Sequence, residues 1–84
     1  MITKYRKKPA IIEAIRWNGM NTQEIIDFVG VSLVLVKIDK LVIRTLEGDR
    51  SVSEDDYIIK GIKGNFYTMK PDIFLATYDR YVTT

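Results

Sequence analysis

The segment DDYIIKGIKGNFYTMKPDIF, residues 55 to 74, sets three lysines, two tyrosines and two phenylalanines around a Gly-x-x-Gly. Lysines neutralise phosphates and aromatic rings stack on bases, so these residue types suit a nucleic acid or a phosphorylated ligand. They suit a hairpin feeding a short helix equally well. If Lys63 and Gly64 form a two-residue turn, Lys60 lies opposite Tyr67 and can cover its ring, a contact worth roughly 0.5–1 kcal/mol at an exposed site. A longer Gly-x-x-Gly loop pairs Lys60 with Asn65 instead. Lys70 precedes Pro71, where the free N–H groups of a helix start can bind phosphate beside a lysine, although Asp72 in the same turn competes for them.

The Gly61-Ile62-Lys63-Gly64 stretch matches the loop by which KH domains clamp a nucleic-acid backbone. That loop joins two helices, whereas Tyr57, Ile58, Ile59, Phe66 and Tyr67 argue for flanking strands. Trp17, ahead of Asn18-Gly19, suits either a core or interface position or a base-stacking platform. The KYRKK arm, with Arg6, Lys7 and Lys8, can reach over an anionic ligand or stay solvated. Without histidine or cysteine, thiolate catalysis, disulfides and imidazole metal sites are excluded. Glu54-Asp55-Asp56 lacks the spaced pattern of a calcium loop and reads as an acidic turn. No nucleophile and base stand out, so the chain is expected to bind rather than catalyse, with no cofactor or metal.

These residues must be positioned by 84 residues, a length that suits one domain, 1–84, burying only about 60–65% of its unfolded surface. Hydrophobic content of 46% with 29% charged residues fits a folded chain. Net charge is +2, with basic residues crowding the first eight positions and acidic ones falling at Glu47, Asp49 and residues 54–56. No apolar run reaches the roughly 20 residues of a membrane span and no signal peptide is visible, so a cytoplasmic location and no membrane partner are expected.

Residues 9–17 read as a strand with Ile11, Glu13, Ile15 and Trp17 on one face. Asn21 and Glu24 read as a capping box, Ile25, Phe28 and Val29 as a buried stripe, and Gly30 as the helix end. Two strands then meet at Asp39 and Lys40, the first running from Ser32 to Val36 with no water-facing side. Covering both its faces calls for a closed barrel or a second subunit, which predicts a homo-oligomer. A turn at Glu47-Gly48-Asp49, strands near 51–53, 57–60 and 65–70, and a helix opening at Pro71 with Phe74 and Tyr78 at i and i+4 complete the chain. The expected fold is α+β: a small, mostly antiparallel sheet or partly open barrel of five or six strands with two short helices.

The blocks KYRKKPAIIEAIRW and DYIIKGIKGNFYTMKPDIFLATY resemble the two signature blocks of a widespread family of small phage and prophage proteins. Where that family's pattern has a Pro-Gly-Asp-Tyr turn, this chain has Glu54-Asp55-Asp56-Tyr57. The resemblance implies a protein made during infection and active in the cytoplasm of the bacterial host. Some small oligomeric phage proteins act as sponges that sequester the cyclic nucleotide signals of antiviral defence. On that reading Arg6, Lys7, Lys8, Lys60 and Lys70 hold the phosphates of a cyclic dinucleotide while Trp17 or Tyr67 stacks on a base. The alternatives are a module binding a host or virion protein through an exposed sheet, and a nucleic-acid-binding accessory protein, which the modest net charge disfavours.

Overall fold

The computed structural model describes residues 1–4, 10–38 and 40–80. Its elements are β1 (Glu13–Arg16), α1 (Thr22–Val29), a 3-10 turn (Val31–Leu33), β2 (Val34–Lys37), β3 (Lys40–Thr45), β4 (Gly48–Val52), β5 (Tyr57–Lys60), β6 (Phe66–Met69) and α2 (Pro71–Thr77). The fold is α+β. Its strands form two antiparallel three-stranded sheets, ordered β1-β5-β6 and β2-β3-β4, and do not close into a barrel.

Alternation along the strands selects the core. Leu41 and Ile43 on β3, Val52 on β4 and Ile58 on β5 join Ile25 and Val29 of α1 in one buried cluster, against which Ile15, Trp17, Phe28 and Phe66 pack. The stripe expected for α1 is therefore the face it buries. Gly30 ends this helix as expected: its φ is +108°, a region L side chains avoid, and its N–H donates to the Ile26 carbonyl at 2.8 Å.

Local hydrogen bonds account for where the chain departs from expectation. Asn21 stands at the start of α1, but its Oδ1 accepts from the Asn18 N–H at 2.9 Å, while its Nδ2 donates to Glu24 and to the Arg16 carbonyl. The turn just before the helix competes for the cap, so no side-chain bond reaches the helix amides. Ser32 and Leu33 are not extended, because the Leu33 N–H donates to the Gly30 carbonyl at 3.0 Å and the strand begins only at Val34. Lys37 pairs with Lys40, which puts the hairpin loop one residue earlier than Asp39-Lys40. Thr45 pairs with Gly48, so β4 also starts earlier than expected. β1 is shorter than the stretch from residue 9 to 17, part of which lies outside the described residues.

Candidate binding cleft

The β5–β6 hairpin decides which side chains meet. Gly61 N–H donates to the Asn65 carbonyl at 2.8 Å and Gly64 N–H to the Gly61 carbonyl at 2.9 Å, closing a loop with Gly64 at φ +83°. Glycine takes that conformation without a Cβ clash. The resulting register pairs Lys60 with Phe66 and Ile59 with Tyr67, matching neither of the two expected alignments. Directly opposed residues share a face. Lys60 and Tyr67 therefore point to opposite sides of the sheet, and the lysine does not cover that ring.

The face carrying Ile58 and Phe66 looks into the core, where Phe66 meets Phe28 edge-on at 5.6 Å. The other face carries Tyr57, Ile59 and Tyr67, and α2 lies over it. Pro71 presets the first turn of α2, and the i, i+4 spacing puts Phe74 and Tyr78 on the side toward the sheet. Tyr57 and Phe74 stack with centroids 3.9 Å apart, Phe74 and Tyr78 are 5.1 Å apart, and the Tyr67 and Tyr78 hydroxyls are hydrogen-bonded at 3.2 Å.

Between this aromatic row and residues 10–14 opens a cleft of 1130 Å³. Ile11, Ile12, Tyr57, Phe74, Leu75 and Tyr78 supply most of its apolar wall. Among the described residues its charged lining is Glu13, Asp79 and Arg80. The described wall is therefore mainly apolar, with charge of both signs at its rim, and suits an apolar occupant. Tyr57 was not singled out in the sequence; its alternation with the buried Ile58 and its distance from Phe74 in the chain gave only a weak signal.

Of the residues expected to form a phosphate site, the described ones, Trp17, Lys60, Tyr67 and Lys70, face different ways within one chain. Arg6, Lys7 and Lys8 lie outside the described residues. Trp17 packs half-buried against the core and borders a separate cleft of 550 Å³ beside Val36 and Ile38. Lys60 sits on the core-side face opposite Phe66. Lys70 is committed elsewhere: its Nζ donates to Asp56 Oδ2 at 3.0 Å, and the same oxygen accepts the Ser53 N–H at 3.0 Å. Asp56 is only 3% exposed, and this pair ties the start of α2 to the turn before β5.

The acidic turn is taken apart by its surroundings. Asp55 accepts from Arg16 Nε at 3.1 Å, Asp56 is buried against Lys70, and the Glu54 carboxylate lies beside Gly19. Asp55 holds φ +76°, the conformation that the glycine of a Pro-Gly turn would take at lower cost. Among the described residues no group of three acidic side chains is placed to hold a metal ion.

Burial and the hydrogen bond to Tyr78 push the Tyr67 phenol up to about 12. The unfolded chain releases this proton near its ordinary value of about 10 while the folded chain keeps it. Stability contributed by Tyr67 is then intact below that value and falls as pH rises from about 10 to about 12. With the ring partly in solvent the loss is on the order of 1 kcal/mol. Urea titrations at about pH 9 and about pH 11 should show this drop in the wild type and a smaller one in Tyr67→Phe. Equal drops would rule the assignment out.

No protein-family model, curated protein or solved structure compared with this chain matches it. Among the described residues no helix is long and apolar enough to cross a membrane.

Proposed function

We propose that this chain is a non-catalytic binding protein that works as a homo-oligomer and holds an apolar segment of a partner protein in the cleft between residues 10–14 and α2. The observation that carries the reading is the wall of that cleft, whose described residues are mainly aliphatic and aromatic side chains. The resemblance to small phage proteins makes a host or virion protein in the bacterial cytoplasm the natural partner. Leu75 is 65% exposed on this wall, so changing it need not disturb the core.

Panning a displayed peptide library against the protein should enrich peptides carrying large apolar residues. Leu75→Asp should weaken them by roughly 30-fold or more, the loss of one interface hot spot of about 2 kcal/mol. Peptides that bind Leu75→Asp as well as wild type would remove the cleft from the interface.

A cyclic-dinucleotide sponge is the second reading, favoured by the family resemblance and by the basic and aromatic inventory. It needs an assembly that brings Trp17, Lys60, Tyr67, Lys70 and the Arg6-Lys7-Lys8 arm together, because within one chain the described members of that set face different ways. Calorimetry against a panel of cyclic di- and trinucleotides separates the two. Binding there, with no peptide enriched, would replace the protein-binding reading, and recovery of linearised ligand would make the chain an enzyme.

A further inference from the structure

Four strands lie at sheet edges: β1 and β6 in one sheet, β2 and β4 in the other. Two carry charges that oppose further pairing. β1 has Glu13 at one end and Arg16, tied to Asp55, at the other. β4 carries Asp49 and Arg50, paired to Arg44 and Glu47. β6 carries no charge, but its four side chains are half-buried, with Phe66 against Phe28 and Tyr67 bonded to Tyr78. β2 carries one charge, Lys37 at its end, and is otherwise apolar. Val34, Leu35 and Val36 follow one another, Leu35 and Val36 are 51% and 54% exposed, and among the described residues no backbone group outside the sheet bonds to the strand. An open apolar edge of this kind is a template for another strand.

We infer that β2 pairs antiparallel with β2 of a second copy across a twofold axis, joining two three-stranded sheets into one continuous sheet. This rests on the homo-oligomer part of the reading above and names its surface. The strand is self-complementary in this direction. Apolar residues oppose apolar residues at its centre, and each Lys37 falls at a far end, away from the Lys37 of the partner subunit. Val31 and Ile38, exposed at opposite ends of β2, are brought toward each other: Ile38 of each copy approaches Val31 of the partner subunit. A twofold also consumes each open edge once and so stops at a dimer of sheets instead of growing into a filament.

Sedimentation velocity at tens of micromolar should give a species of at least twice the 9.7 kDa chain mass. Leu35 pairs with Val42, off the face that carries the Leu41 and Ile43 cluster, and is itself 51% exposed, so Leu35→Glu should keep its circular dichroism. Two like charges near the axis should raise the dissociation constant by about 100-fold or more. Because the chain has no cysteine, single substitutions report contacts cleanly. Oxidation should cross-link Leu35→Cys or Val36→Cys but not Leu46→Cys, which is exposed on the next hairpin. A wild type that stays at the mass of one chain would overturn this pairing and the oligomer reading together. An oligomer that survives Leu35→Glu and does not cross-link at 35 or 36 would overturn the β2 pairing alone.

Discussion

Ile58→Ala is expected to lower the unfolding free energy by about 2–5 kcal/mol. Ile58 is 0% exposed and sits in the cluster formed with Ile25, Leu41 and Ile43, so the lost methyl groups leave a void where α1 and the two sheets meet. A chain of this length holds only roughly 4–13 kcal/mol in total, so the upper end of that range can unfold it. Denaturant titration should show a lower midpoint with an unchanged slope, and Ile58→Val should cost only about 0.5–1.5 kcal/mol. A loss under about 1 kcal/mol for the alanine variant would mean that the core is not assembled around this strand. The effect should reach the cleft as well. The next residues on either side, Tyr57 and Ile59, face α2, and Tyr57 holds the stack with Phe74 that forms the cleft wall.

Asp56→Ala should cost about 2–3 kcal/mol, the loss of a charge-assisted bond together with a partner for the Ser53 amide. The carboxylate is nearly inaccessible while its cation, Lys70, has a side chain 58% exposed. Removing the lysine instead, as Lys70→Met, strands a buried charge that keeps only its Ser53 bond, and about 1–3 kcal/mol is expected. The double variant should lose less than the sum of the two, with a coupling of about 0.5–3 kcal/mol. This cycle also bears on function. If Lys70 served a phosphate ligand instead of the fold, Lys70→Met would weaken cyclic-dinucleotide binding and leave the urea midpoint where it was.

Both variants act through contacts that no local pattern announces. Asp56 and Lys70 are separated by a whole hairpin, and their types alone offered two roles for the lysine, a phosphate contact or a structural one. Burial of one carboxylate gives the lysine a structural partner, because an ion taken out of water needs a partner close by. The same holds for the expected ligand set. Trp17, Lys60 and Tyr67 have the chemistry for stacking and charge, but their directions follow from strand register. Register depends on loop length at the one-residue level, and a slip of one residue turns every side chain to the other face. The bonds from Gly61 and Gly64 set that length, and with it put Lys60 and Tyr67 on opposite sides.

What the sequence determined by itself is the part written in short-range terms. The two helices, the glycine that ends the first, the proline that opens the second, the strand at 57–60 and, to within a residue at each end, the one expected at 65–70 were legible because a helix-ending glycine, proline geometry and apolar periodicity act within a few positions. The apolar run near Val34–Val36 was legible as a strand needing cover, though its first residues turn into a 3-10 helix once Gly30 supplies a carbonyl. Only the tertiary structure decided that β1 joins β5, that the strands divide into two open sheets, and that Tyr57, Phe74 and Tyr78 line a cleft with residues 10–14. Those are pairings between distant parts of the chain. Each is selected by the buried area and hydrogen bonds it completes in three dimensions, which no window of sequence contains.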